Sequence, residues 1–199
     1  MASFVRTLSG PAVEPVTIAE ARLWCRIDDD DATQDAILML LIIAARERAE
    51  EITGRSFASR QMELRLDAFP EGDMAIDLPY SPVSAVSSIT YRTSDGDSVL
   101  AGSPQAFQAD TGSTPGRVMP LVGQSWPSTD GSLGAVRISY TSGYANTTAM
   151  PKLLRVFMMA FISTLYENRE QFVMNNTVEI PRDFGAGLLD NLRVRVGWA

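Results

Sequence analysis

DATQDAILMLLIIAARERAEEITG, residues 31 to 54, decides how the rest of the chain is read. Asp31 stands three residues before Gln34, an acid and an amide spaced to satisfy free backbone amides at a helix start. Gly54 closes the stretch with the residue that best tolerates a left-handed helix stop. The spacing predicts one helix of roughly 34 Å at 1.5 Å per residue. From Ala36 to Ala45 every residue is apolar, so this half is expected to have no wet face. From Arg46 to Ile52 only Ala49 and Ile52 continue an apolar stripe, which leaves the other residues there reading as solvated. The apolar run is far short of the ~18 to 20 residues that cross a bilayer. Its cover must therefore be protein, supplied by the rest of the chain or by neighbouring copies.

Upstream, Thr17-Ile18-Ala19-Glu20 is a capping box, followed by a short helix with Ile18, Ala21, Leu23, Trp24 and Ile27 on it. The acids Asp28 to Asp31 fail as a calcium loop, because position 6 is Thr33 and position 12 is Met39. They suit the positive end of the helix dipole instead. Residues 1 to 16, punctuated by Pro11 and Pro15, read as an extended N-terminal arm or tether.

After Gly54 the pattern turns to β. Met62, Leu64 and Leu66 alternate with Gln61, Glu63 and Arg65. Further short extended pieces are expected at 75–78, 85–92, 98–100, 107–109, 117–119 and 136–141. Asp95-Gly96 between two of them is a strong hairpin signal. Pro115-Gly116-Arg117 and Gly131 to Gly134 lack the Lys-Ser/Thr ending of a phosphate loop and read as turns. Helix returns at Pro151 and runs to about Glu170, with Leu153, Leu154, Phe157, Met158, Phe161, Ile162 and Leu165 forming a wide stripe. Residues 171 to 181 lose periodicity and read as a loop. Asp183 is expected to cap a last short helix through Leu188, Leu189 and Leu192.

The expected fold class is α+β: a helical bundle of three to four helices (17–55 and 146–170) carrying an inserted small antiparallel β unit (56–145). An arm at 1–16 and a loop with a C-terminal docking segment at 171–199 flank it.

Composition narrows function. With 199 residues, 45% hydrophobic and 21% charged, the chain is an ordinary globular one able to bury a core. It has no His, which removes Ser-His-Asp triads, Cys-His pairs and His-based zinc or iron sites. A single Cys, Cys25, excludes an internal disulfide framework. Sixteen of the seventeen basic residues are Arg, suited to forked contacts with carboxylates at interfaces. A formal net charge of -7 argues against wrapping nucleic acid. The N-terminus is not expected to act as a signal peptide, since Arg6 interrupts its only apolar run. No cofactor or metal is expected.

The order PVTIAEARLWCRIDDDDATQDAILMLLIIAARERAEEITGR, then LPYSPVSAVSSITY, PGRV, AVRISYTSGY, MPKLLRVFMMAFISTLYENRE and LLDNLRVRVGW resembles the head-tail connector, or adaptor, proteins of long-tailed phages and phage-derived particles. The most specific parts are Ala44-Ala45-Arg46 with Glu50 to Arg55, Ser142-Gly143-Tyr144, and Tyr166 to Glu170. The resemblance implies a non-enzymatic ring of about twelve copies beneath the portal, by analogy with closed heterologous assemblies. It would receive the next tail-side neck component, the stopper, and let DNA pass non-specifically. It would sit at the head-tail junction of a virion assembled in the bacterial host cytoplasm, with no membrane contact.

The candidate residues follow. Leu40, Leu41, Ile43, Phe157 and Phe161 are the expected contacts between copies. Leu192, Val194, Val196 and Trp198 alternate with Arg193, Arg195 and Gly197, so an extended tail has one apolar and one basic face. Arg193, Val194, Arg195, Val196 and Trp198 are the expected portal-docking residues, against the alternative that the tail pairs with the β unit of its own chain. Two competing readings remain. A carboxylate-based hydrolase would draw a pair from Glu63, Asp67, Asp73, Asp77, Asp95 and Asp97. A β-rich virion binding module would use Tyr80, Tyr91, Phe107 and Trp126.

Overall fold

The computed structural model describes residues 3–11, 13–28, 32–100, 106–168 and 187–194. It is mixed α+β, and its described residues fall into two compact units. One comprises residues 3–11, 58–100, 106–145 and 194, the other residues 13–28, 32–57, 146–168 and 187–193.

The first unit is β. Its strands are β1 (Ser3–Thr7), β2 (Arg60–Leu66), β3 (Ile76–Leu78), β4 (Val83–Thr93), β5 (Gly96–Leu100), β6 (Phe107–Asp110), β7 (Gly116–Pro120) and β8 (Val136–Ser142). They form a five-stranded antiparallel sheet, β1-β2-β8-β4-β5, and a three-stranded one, β3-β7-β6. Register follows the apolar alternation. Met62, Leu64 and Leu66 of β2 stand opposite Tyr140, Ile138 and Val136 of β8, and all six are buried. Both sheets feed one core, where Ile76, Leu78, Phe107 and Val118 join the residues of the larger sheet.

The extended N-terminal segment is not free: Ser3–Thr7 joins the sheet as edge strand β1, with Val5 opposite Leu64 and packed on the core. The expected hairpin forms one residue early. Thr93 pairs with Gly96, so Ser94 and Asp95 make the turn and Gly96 alone takes a positive φ, +118°. The aromatics spaced apart in sequence meet in the core. Trp126 stacks on Phe69 with centroids 4.8 Å apart, and Tyr91 meets the same ring edge-on at 5.7 Å.

The second unit is helical: α1 (Ile18–Cys25), α2 (Asp35–Thr53) and α3 (Lys152–Glu167) pack pairwise on one another. Thr17 and Glu20 form the predicted capping box. A 3-10 turn, Ala32–Gln34, leads into α2, and Gln34 makes no side-chain cap bond. The helix therefore starts later than the amide spacing suggested, and its 19 residues span about 28 Å. Asp31, the expected cap, lies outside the described residues. Gly54 stops the helix at φ +66°, as read from the sequence. Residues 187–189 are helical and pass into a 3-10 turn, Asp190–Leu192, whose last carbonyl accepts from Arg55 Nε.

Candidate assembly surface

One face of α2 holds the core of the helical unit. Leu38, Ile42, Ala45 and Ala49 are buried, as are Leu154, Phe157, Met158 and Ile162 of α3. At about 100° per residue Leu40 projects roughly opposite Leu38 and Ile42. It is 65% exposed, and Ile37 and Met39 beside it are also open. Leu153, Val156 and Leu165 leave α3 with open apolar side chains too. The stretch Ala36–Ala45 thus does have a face turned outward in the single chain, and that face is apolar.

The three helices are held in place by ion pairs. Arg22 of α1 grips Asp35 of α2, Nη2 to Oδ1 at 2.6 Å, with Nε on the same oxygen at 2.9 Å. Arg155 of α3 pairs with Glu20, inside the capping box of α1. Partial burial would raise the Glu20 carboxyl, but hydrogen bonds from Thr17 and the Arg155 charge outweigh it and hold it below its usual 4.5.

Arg46 is the centre of the third set. It is only 3% exposed, with Nε 2.8 Å from Glu14 Oε2 and Nη1 2.9 Å from Glu50 Oε2. The other Glu50 oxygen accepts from the Phe57 amide at 2.9 Å. Burial alone would lower the Arg46 pKa, yet the two carboxylates carry it above its ordinary value. Arg46 and Glu50, expected in a wet half of the helix, are instead buried. They are buried because they neutralise one another and because Glu14 and Phe57 satisfy what remains. Their i, i+4 spacing with an acid and a base was the available signal.

Of the expected contacts between copies, Leu40 is open, Leu41, Ile43 and Phe161 are half-buried, and Phe157 is 5% exposed, stacked on Phe161 at 5.9 Å. Phe157 therefore packs inside its own unit and supports Phe161 from beneath. Of the expected docking residues, Arg193 is exposed and pairs with Asp190 at 3.1 Å, and Val194 is half-buried. Arg195, Val196 and Trp198 lie outside the described residues, as do Asp183 and the 171–181 loop.

The carboxylates that a hydrolase would draw on have structural partners in several cases. Glu63 faces Arg65 at 2.6 Å, Asp67 accepts from the Gly134 amide at 2.9 Å, and Asp97 pairs with Arg92 at 3.1 Å. The aromatics that a binding module would use split in the same way. Phe107 and Trp126 are buried, Tyr91 packs on the core, and only Tyr80 of the four is exposed.

Residues 15–98 match the phage gp6-like head-tail connector protein family. The family resemblance carried by the sequence motifs is thereby confirmed over that span, which runs from the segment before α1 into β5. Arg46, Glu50 and the Gly54 stop all lie inside it. The chain is also similar to a chain in the neck of an empty gene transfer agent particle computed with C6 symmetry. The TM-score is 0.79 and the identity 24%, over 98% of both chains. A chain in the virion of a native gene transfer agent particle gives 0.76 and 24%, over 98% of both. One in the neck of a native particle computed with C12 symmetry gives 0.69 and 23%, again over 98% of both. These likenesses extend the shared fold beyond residue 98 to nearly the whole chain. No curated protein matches the sequence.

Proposed function

We propose that this chain is the repeating subunit of a head-tail connector ring of twelve copies, seated beneath the portal of a phage-like particle. The observation that carries this reading is the outward apolar face of α2, led by Leu40. A helix whose inner side already fills its own core has no reason to keep Ile37, Met39 and Leu40 open unless another chain covers them. A family match over residues 15–98 and a fold shared with necks of C6 and C12 symmetry support the same arrangement.

In this reading the role is structural and not enzymatic. The ring links capsid to tail, binds the stopper on its tail side, and lets DNA through a lumen whose walls, at a net charge of -7 per copy, do not hold phosphates. Among the described residues no helix is long and apolar enough to cross a membrane. The ring assembles in the host cytoplasm. Arg193 and Val194, with the tail that follows, dock on the portal; the exposed Arg193–Asp190 pair is weak enough to be exchanged for portal carboxylates.

The test is the native mass of the purified protein, alone and mixed with its portal, for the wild type and Leu40→Asp. The reading expects rings of the wild type in one or both conditions, and a folded Leu40→Asp that assembles in neither. A wild type that stays monomeric in both conditions, or a Leu40→Asp that assembles normally, overturns it.

A further inference from the structure

The end of α1 is capped by an unusual residue. Arg26 caps the helix at φ +59°, the left-handed conformation in which glycine is ordinarily found. Its side chain is exposed and makes no ion pair or hydrogen bond among the described residues. Beside it Leu23 is 78% exposed, and the half-open Trp24 donates Nε1 to Ser163 Oγ at 3.3 Å. Leu23, Trp24, Cys25 and Arg26, with Ser163 and Glu167 of α3, line a cavity of about 450 Å³. A tryptophan and an arginine with no partner among the described residues, around one hollow, are the residue types enriched in contact hot spots. An arginine held in a strained backbone conformation is the kind of outlier that marks function.

A second patch lies on α2. Leu40, Ala44 and Glu47 recur at i, i+4 and i+7, so they form one outward row with an apolar end and an acidic end. Glu47 is well exposed, and among the described residues its ion pair is with Arg46 at 3.6 Å. The two patches match at two points: the hollow offers the Leu23 and Trp24 side chains and a cation with no partner among the described residues, and the ridge offers an apolar knob and an anion. Closed rings require two different surfaces of this kind on each copy.

We propose that the contact between copies runs head to tail, with the Leu40–Glu47 ridge of one copy seated in the Leu23–Trp24–Arg26 hollow of the next. Leu40 enters against Leu23 and Trp24, and Glu47 pairs with Arg26. Glu167 on the same rim makes the hollow acidic once Arg26 is lost, so Arg26 also decides whether an acidic ridge is admitted. This inference rests on the reading of the chain as a ring subunit.

Three experiments on the full chain, run under whichever condition gives wild-type rings, test it. First, Arg26→Gly removes the strained conformation and the charge together. It is expected to melt at a higher temperature than the wild type and yet assemble at least tenfold more weakly. Second, Arg26→Glu and Glu47→Arg should each stay folded and fail to assemble. An equimolar mixture of the two should assemble, because every contact then joins opposite charges. Third, Leu40→Cys treated with a short bifunctional maleimide should link to Cys25, the only other thiol, giving a ladder beyond the dimer. The ladder should disappear, leaving uncross-linked monomer, when Cys25→Ser is added.

Normal assembly of Arg26→Gly, no rescue in the mixture, or a ladder that stops at the dimer each overturns the pairing. If Leu40→Asp blocks assembly while the Arg26 variants do not, the ring reading stands and this contact falls. If the wild type forms no ring under any condition, both fall.

Discussion

A side-chain carbon placed on Gly143 would stand 2.4 Å from the carbonyl oxygen of Ala58. The two residues lie where the chain enters and leaves the β unit, next to the parallel bridge between Ala58 and Tyr144. Gly143 is also at φ +106°, and its amide donates to Pro82 at 2.8 Å. Gly143→Ala therefore meets both a backbone clash and a strained conformation. The expected loss is about 2–4 kcal/mol in urea unfolding of the full chain. A loss below about 0.5 kcal/mol would show that the crossing can spread apart.

The Arg46 cluster makes a prediction about coupling. Arg46→Met leaves Glu50 as a buried, uncompensated acid, with the half-buried Glu14 beside it, and should cost about 3–5 kcal/mol. Glu50→Gln added to it keeps an acceptor for the Phe57 amide and removes one charge, so the double variant should be more stable than Arg46→Met alone. A double-mutant cycle measures this. Strictly additive losses would mean that Arg46 and Glu50 do not act as a pair.

The capping box predicts a pH dependence. Glu20 is held below 4.5, so its ionised form favours the folded state. That contribution is complete above the unfolded value and is lost as pH falls through the lower folded one. Glu20→Gln should therefore be less stable than the wild type at neutral pH, by a few tenths of a kcal/mol after solvent screening. The gap should close as the melts are moved down through pH 4.5. A gap that widens on acidification would reverse the sign of the argument.

Two leucines two residues apart should behave oppositely. Leu38 is fully buried, so Leu38→Ala is expected to cost about 3 kcal/mol in thermal unfolding of the unassembled chain. Leu40→Ala, on the outward row, should change that unfolding by under about 0.5 kcal/mol while weakening assembly. Equal destabilisation by both would place Leu40 in the core.

Duplex DNA should not be retained by the purified protein at physiological salt, measured by fluorescence anisotropy. A net charge of -7 supplies little counterion release on binding. Tight binding that weakens steeply with added salt would contradict the passive-channel reading.

Local signals in the sequence carried a long way. The Thr17–Glu20 box, the Gly54 stop, the hairpin near Asp95-Gly96 and the alternation that registers β2 on β8 all depend on neighbours a few residues apart or on strict periodicity. They do not change with what packs above them. The family motifs around Arg46 and Glu50 were legible as a pattern, but their physical meaning was not.

Where a position reads the same locally whether it is covered or open, only the tertiary structure decided. Arg46 and Glu50 look solvated by residue type, and they are buried because Glu14, from 32 residues upstream, completes the charge balance. Ala36 to Ala45 is uniformly apolar, so composition alone does not separate Leu38 from Leu40. The placement of α3 does, by filling one side and leaving the other bare. Ser3–Thr7 is extended either way, and becomes a strand because β2 presents an unpaired edge to it. Arg26 is an ordinary charged residue in the sequence. It takes a left-handed conformation because α1 has to stop there, which only the fold imposes.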